Sequence, residues 1–577
     1  MRIYKIADTF AIQNRQTGLF FLLGFILLAI LIRTHLNFSQ ELIPGVNGGY
    51  YPLLARNLLD FNSVRYPDAP LVHWLIAGIS WLIGLLTDLT RDQSVIAAAK
   101  LFDSAIPPLT AIPVYLASRE ILGCDRRQLS ATIILPGFSI LYLAPLLFFC
   151  SDMVKNSLGM VWFAFFLYFF IRFQVYRHSR DLLITGGAFV VTGLTHIGTF
   201  AVEMVFALIC GIFYLIRTLR TARIRRLILA AIIVSGIVLV SLFLLRGDPD
   251  RQSRLSSFYC NPLRIFEFPY LFLLMDGQNP YTGILWFNFL LINILSIAGF
   301  ILLMTGFKDL DPGERLCSLS LSALCLFVSS PLIGIEWTLR YHLMAYLPLV
   351  FLYLYLFKLV RKRIFRIIMI SVFGLMTAFS VWTSLASTRQ PAITLQSYED
   401  LKRIGETVEI RSGDLIVARH GLEWWTGWVL GCRTGKEYCL SPKDWDRYNG
   451  IYLLRQKKGN NYPGHRGTGQ FAEFRIPESS IPIYSSEYFD LFKLAKPSPD
   501  EFYPGELPLL QGRIESIRDH SIIILSDGYL QEVVLSGETL LPGLRPGEAG
   551  EGMMADVWGR RIPFSLKILA DTLLITN

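Results

Sequence analysis

Over the first two thirds of the chain the apolar residues neither alternate nor recur as narrow stripes. They gather in unbroken runs. A bilayer-spanning helix needs about 20 mostly apolar residues, and runs of that kind lie near 17–36, 95–117, 129–149, 157–173, 182–195, 197–216, 227–245, 282–306, 316–333, 342–358 and 364–385. The run at 182–195 is short, but its neighbours support it. The first run lacks a small-residue cleavage site at Ile32-Arg33-Thr34-His35, so it is expected to stay as an anchor. Eleven spans, twelve if 71–87 also crosses, predict an α-helical polytopic membrane bundle over 1–388. Beyond Arg389 the pattern becomes that of a soluble protein. An external α/β domain is expected over 389–509, where an apolar strand leads through a turn into an aromatic helix at 414–430. Short strands at 511–517, 520–525, 532–535 and 552–557, with turns at 526–528 and 545–547, predict a small OB-like β-barrel over 510–577. It reads as a ligand- or partner-binding accessory without a catalytic set.

Composition agrees with a membrane protein. Of 577 residues 53% are hydrophobic and 17% are charged, against roughly 25% charged in a soluble chain. Disorder, a fibrous protein and a disulfide scaffold are excluded. The net charge of +9 does not point to nucleic acid, because the basic residues collect beside the apolar runs. Eight cysteines are too few and scattered for a disulfide framework. Cys124, Cys210, Cys317 and Cys325 lie in or beside apolar runs, where a thiol behaves as a small hydrophobe. Cys432 and Cys439, in the soluble part, either pair or remain two thiols.

Lys and Arg stay on the cytoplasmic side of a membrane. Basic clusters at Arg119/Arg126/Arg127, Arg172/Arg177/Arg180, Arg217–Arg226, Lys308/Arg315 and Lys358–Arg366 are each separated by two spans. The N-terminus, with Arg2, Lys5 and Arg15, is therefore expected in the cytoplasm and the C-terminal domain outside, in a multi-pass protein of the plasma (inner) membrane. One run disturbs this parity. The apolar segment 71–87 would place Arg119 outside if it crossed, so it is expected as a re-entrant or interfacial helix, unless the Pro107-Pro108…Pro113 segment does not span simply. No convincing internal repeat is found, whereas a transporter often has one. The polar residues cluster at the external ends of spans.

Five external pieces can carry chemistry. The first loop runs Pro44-Gly45-Val46-Asn47-Gly48-Gly49-Tyr50-Tyr51, then Arg56, then Tyr66-Pro67-Asp68-Ala69-Pro70-Leu71. Its glycines permit a turn that brings backbone close to a ligand, and Arg56 on a helical stretch can face headgroups. The bland reading is a tyrosine-anchored surface helix. The second piece is Ser151-Asp152-Met153-Val154-Lys155-Asn156: Asp152 can act as a base or metal ligand and Lys155 can hold a phosphate, while the bland reading is a charge pair at a helix start. Third, His196 sits in a turn between two apolar runs, where polar groups are costly. Fourth, Arg340 in Glu336-Trp337-Thr338-Leu339-Arg340 breaks the positive-inside pattern. It therefore calls for an anionic partner, a lipid phosphate or an acid such as Glu336 or Asp152. Fifth, His420, Glu423, Trp424 and Trp425 suit a sugar or peptide pocket, although periodicity alone makes their helix a core helix.

In order along the chain, the Gly-rich first loop with Tyr-Pro-Asp-Ala-Pro-Leu, the acidic motif at Asp152, the Arg340 loop and the Trp424-Trp425 pair resemble the GT-C superfamily of integral-membrane glycosyltransferases, in its oligosaccharyltransferase-like branch. The resemblance covers most of the membrane part. It implies a sugar transferred from a polyprenyl-phosphate-linked donor to an acceptor (glycan, lipid or protein) on the external leaflet, with membrane lipids as partners and no nucleic acid. It also implies a divalent cation, magnesium or manganese, held by Asp152 and Asp68. Two departures stand out. Such enzymes commonly carry Asp in the first-loop turn where this chain has Asn47, and an amide cannot serve as a base at neutral pH. Trp424-Trp425 is followed by Thr426-Gly427 rather than Asp-Tyr-Gly, so recognition of a glycosylation sequon is not implied. The expected roles are Asp152, Asp68 and Asn47 in catalysis, Arg340, Lys155 and Arg56 on the donor phosphate, and His196, Asn156, Glu336, His420, Glu423, Trp424 and Trp425 toward the acceptor or behind the site. The rival readings are a flippase or transporter of a lipid-linked glycan and a catalytically lapsed homologue that binds glycolipid.

Overall fold

The computed structural model describes residues 2–66, 68–123, 128–219, 266, 269, 283–435, 444–462, 480–496, 510–518, 520–526, 529–540, 550–561 and 567–576. The expected span at 227–245, the turn at 545–547, most of the turn at 526–528, and Cys439 with its pairing to Cys432 lie outside the described residues. The chain forms two compact units, which part between Pro391 and Ala392, with Pro331–Thr338 belonging to the second.

Among the described residues, eight helices are long and apolar enough to cross a membrane: Gln16–Phe38, Arg91–Leu122, Leu129–Phe148, Val154–Tyr176, Ile197–Leu215, Trp286–Asp309, Thr338–Leu359 and Arg363–Ala386. The protein is a multi-pass membrane protein. Two further expected runs form 17-residue helices, α8 (Ser179–Thr195) and Pro312–Val328. At 1.5 Å per residue these measure about 26 Å, a little under the ~30 Å of a hydrocarbon core. The elements that position the candidate site are α1 (Arg2–Phe38), α2 (Tyr50–Phe61), α3 (Leu71–Leu86), α4 (Arg91–Ala105), α5 (Ala111–Leu122), α6 (Leu129–Leu141), α7 (Val154–Tyr176) and α9 (Ile197–Leu219).

The segment that disturbed the parity is α3. Its 16 residues reach about 24 Å, less than the ~30 Å of a hydrocarbon core. One face, with Val72, His73, Ile76, Ala77 and Ser80, is buried, and the other exposes Trp74, Trp81, Leu82, Leu85 and Leu86. The chain turns at Thr87 and restarts at Thr90, whose side chain forms a reciprocal capping box with Gln93. Pro107 and Pro108 cannot donate to an α-helical ladder, and the chain answers with one 3-10 turn, Pro107–Thr110, between α4 and α5. The two helices thus form one bent crossing.

Among the charged residues buried in the bundle, which include Lys100, Asp181 and Glu203, one ion pair carries a polar network. Arg33 of α1 and Asp103 of α4 pair at 2.6 Å with almost no exposure. Arg33 Nε also donates to the Asp103 carbonyl at 2.8 Å, and a terminal nitrogen donates to the Pro145 carbonyl. Asn37 Nδ2, one turn after Arg33, donates to the second Asp103 oxygen and to Ser104 Oγ, both at 2.9 Å. Ser151 completes the set: its N–H donates to Asp103 at 2.8 Å and its hydroxyl to Asn37 Oδ1 at 2.5 Å. These bonds hold Ser151 in the left-handed region (φ 65°), a conformation that a non-glycine residue adopts when its surroundings over-determine it.

In the second unit, β1 (Leu415–Ala418) lies between β2 (Arg433–Gly435) and β3 (Ile451–Gln456), all parallel, and antiparallel β5 (Phe489–Lys493) and β4 (Ile481–Ser485) extend the sheet. The expected strand, turn and aromatic helix are present, with Gly421 at φ 89° between β1 and the helix Leu422–Leu430. Five strands, β6 (Leu510–Arg518), β7 (Ser521–Ser526), β8 (Tyr529–Leu540), β9 (Met554–Arg561) and β10 (Ile568–Thr576), close a barrel in the order β6–β7–β8–β10–β9. Only the β8–β10 pair is parallel, which is the arrangement of an OB-like barrel. Ile514, Ile524, Val533, Val557, Ile568 and Leu573 fill it.

Breaking a buried ion pair by removing one partner strands the other charge, at a cost of about 3–5 kcal/mol. Asp103→Asn and Arg33→Met are each expected to lower the unfolding free energy of the detergent-solubilised protein by that order. The double apolar replacement, Arg33→Met with Asp103→Leu, should recover most of the loss. Denaturant titration of the three variants checks this.

Candidate active site

The short segment from Cys150 to Val154 joins the end of the third span to α7, and the network around Asp103 fixes its backbone. Asp152 follows Ser151, so its carboxylate direction is set by the same bonds. Its Oδ1 accepts from the Asn47 backbone N–H at 2.8 Å, and its Oδ2 lies 3.8 Å from Arg389. The Asn47 amide reaches only the Asp152 backbone carbonyl, at 3.5 Å. Asn47 thus holds Asp152 in place through its main chain. The turn that presents this N–H needs glycine: Gly45 has φ 93°, and a Cβ there would sit 3.0 Å from the Asp152 side chain. At Gly48 a Cβ would lie 2.1 Å from the Ile43 carbonyl oxygen. Arg389 is itself anchored, donating to the carbonyls of Leu147, at 2.7 Å, and Cys150.

Asp68 lies in a different set of contacts. Lys155 Nζ approaches its two oxygens at 2.7 and 2.8 Å, His73 Nε2 lies at 2.8 Å, the Ala69 N–H donates at 2.8 Å, and the Tyr50 hydroxyl also donates. Burial alone would raise the Asp68 pKa, but the Lys155 charge and the His73 hydrogen bond outweigh it and hold the carboxyl well below the usual range. Lys155 Nζ also reaches the Tyr50 hydroxyl at 2.9 Å. Tyr51 stacks on His73, and its hydroxyl donates to the Asp152 carbonyl at 3.3 Å. The two tyrosines at the start of α2 therefore tie the Asp152 and Asp68 clusters together.

His196 caps the turn between α8 and α9. Its Nδ1 accepts from the Thr199 N–H at 3.2 Å, which leaves the ring proton on Nε2. Burial, followed by the positive charges of Lys155 and Arg340, lowers its pKa to about 3, so the ring is neutral at physiological pH. Arg340 is exposed. Met344, one turn further along the same helix, packs its sulfur 3.9 Å from Asn156 Nδ2 and 3.6 Å from Thr199 Oγ1. Lys155, Asn156, His196 and Arg340 therefore belong to one neighbourhood.

Other expected site residues lie elsewhere. Arg56 stands 3.9 Å from Asp60 and 3.6 Å from Asp92. The Glu336 side chain lies outside the described residues. In the second unit His420 Nδ1 and Glu423 Oε1 meet at 2.8 Å, with Glu423 buried. Trp425 is wholly buried and packs edge-on against Tyr398, so it is a core residue rather than a pocket wall. Trp424 is half-buried.

The acids do not fit the expected divalent cation. Among the described residues no three His, Cys, Asp or Glu side chains converge. Asp68 has four donors already on its two oxygens, about as many as a carboxylate can accept, and one of them is a lysine that a cation would have to displace. The sequence reading missed His73, Tyr50, Tyr51, Arg389 and the Arg33–Asp103 pair. The charges inside two apolar runs, Arg33 in one and Lys100 with Asp103 in the other, were the available signal for that pair.

No protein-family profile matches the chain, and no curated protein matches it. Among solved structures, the crystal structure of ArnT from Cupriavidus metallidurans in the apo state is similar, with a TM-score of 0.47 and 12% identity over 82% of this chain and 97% of that one. ArnT from the same organism bound to undecaprenyl phosphate gives a TM-score of 0.46 and 11% identity over the same shares.

The Asp68 cluster has a signature in acid. A carboxyl with a depressed folded-state pKa adds stability above its unfolded value of about 3.9, and that stability is lost as the pH falls further. The wild-type melting temperature is expected to drop as the pH is lowered through about 4. Asp68→Asn should melt lower at neutral pH and show a shallower acid-dependent drop. Thermal unfolding from neutral to acid pH measures both.

Proposed function

We propose that the membrane unit is a glycosyltransferase that moves a sugar from a polyprenyl-phosphate donor to an acceptor hydroxyl at the external face of the membrane. The observation that carries this reading is an oriented carboxylate, Asp152, just ahead of the helix that begins with Lys155, together with Lys155 and Arg340 as the two cations whose charge reaches a neutral His196. The sequence resemblance to GT-C enzymes supports the same reading. Lys155 and Arg340 bind the donor phosphate. Asp152 keeps lone pairs beyond the one bonded to Asn47 N–H, and it takes the proton of the acceptor hydroxyl as that oxygen attacks the anomeric carbon. The bond from that carbon to the phosphate oxygen breaks, and the phosphate leaves with the electron pair. The cations act where that negative charge grows, which is where electrostatic stabilisation is strongest. Asn47 and Arg389 orient the base, and no metal takes part in these steps.

In this reading the N-terminus is cytoplasmic and the second unit is external.

Purified protein incubated with a panel of polyprenyl-phosphate sugars is expected to consume a donor. Asp152→Asn and Arg340→Ala should each cut turnover by at least about 100-fold, the lower range for a lost general base or charge stabiliser, with unchanged melting temperature. Binding without turnover would instead identify a lapsed homologue, and movement of the glycolipid between vesicle leaflets a flippase.

A further inference from the structure

Asp68 is the most fully satisfied acid of the outer cluster, which makes it a poor candidate for chemistry and raises the question of what it does there. Its two oxygens receive Lys155, His73, Tyr50 and the Ala69 N–H. No lone pair is left for an acceptor hydroxyl, and its depressed pKa leaves it no proton to give. Its main partner is the cation that stands beside Asn156 and His196. His73 enters from the buried face of α3, wholly enclosed, between the Tyr50 and Tyr51 rings. The carboxylate is thus held by groups from α2, α3 and its own loop, and it presents both oxygens to Lys155.

We infer that Asp68 is a positioning residue that competes with the ligand phosphate for Lys155, set in place by His73 and Tyr50, so that the lipid phosphate is bound loosely enough to leave. This rests on the reading of Lys155 as the phosphate-binding cation. A phosphate arriving at Lys155 must share the ammonium with a carboxylate already at 2.7 Å. Like charges brought onto one cation repel, and the repulsion is strong where water is scarce. Removing the Asp68 charge while keeping its shape should therefore strengthen binding. A metal ligand would behave in the opposite way, since its loss weakens the hold on a phosphate. Asn at position 68 keeps a carbonyl oxygen for Lys155, and the Tyr50 hydroxyl, 2.9 Å from Nζ, still orients the ammonium.

The test is the affinity of the full-length protein in nanodiscs for decaprenyl phosphate, measured by titration for wild type, Lys155→Met, Asp68→Asn and Asp68→Ser. Lys155→Met should lose binding, and Asp68→Asn should tighten it by at least about tenfold, a small value for a close charge pair. Asp68→Ser removes the same charge with a smaller polar side chain and should tighten binding likewise. It also serves if Asp68→Asn does not fold. Unchanged or weaker binding in Asp68→Asn and Asp68→Ser, with Lys155→Met still defective, overturns the competition and leaves the phosphate reading standing. Equal binding by wild type and Lys155→Met overturns both.

Discussion

The buried pair between Arg33 and Asp103 is the constraint from which the geometry around Asp152 follows. A charged side chain within a bilayer-spanning segment is expensive, and an unpaired one more so, so neither residue is tolerable without the other. Their pairing at 2.6 Å fastens α1 to α4. The same carboxylate accepts from Ser151, and so carries the constraint to the segment before α7. Ser151 takes up a left-handed backbone there, and that bend turns Asp152 out toward the glycine turn of the first loop.

Two acids then diverge in role because their surroundings differ. Asp152 is held by one main-chain N–H and a more distant arginine, and it keeps acceptor capacity. Asp68 is saturated. One can take a proton in a reaction, while the other can only hold a cation. Lys155 lies in the first turn of α7, whereas Asp152 precedes the helix and is held by the bonds of its own segment.

Much of this was readable from the amino-acid order. The apolar runs mark the spans, and Ser151-Asp152-Met153-Val154-Lys155-Asn156 stands out because it interrupts them. The short strands near the end of the chain predict the barrel. What was not readable depends on proximity. Arg33 and Asp103 are 70 positions apart, Arg33 alone in its apolar run and Asp103 three residues after Lys100 in another. His73 looks like an incidental polar residue on an apolar helix, and Arg389 like a boundary charge after the last span. Its anchors, the carbonyls of Leu147 and Cys150, lie about 240 positions away. The fifth barrel strand escaped the pattern because its register shifts between Ala570 and Thr572, which breaks the two-residue alternation. Asp68 was legible as a site residue, but its saturation was not, because its donors come from three separate elements.

The most direct test of the account is a cryo-electron microscopy structure of the protein with a bound polyprenyl phosphate. The account predicts the phosphate density between Lys155 and Arg340, beside His196, with the Asp152 carboxylate still bonded to the Asn47 N–H and facing the sugar side. Phosphate bound away from both cations, or a metal density bridging Asp152 and Asp68, would contradict it.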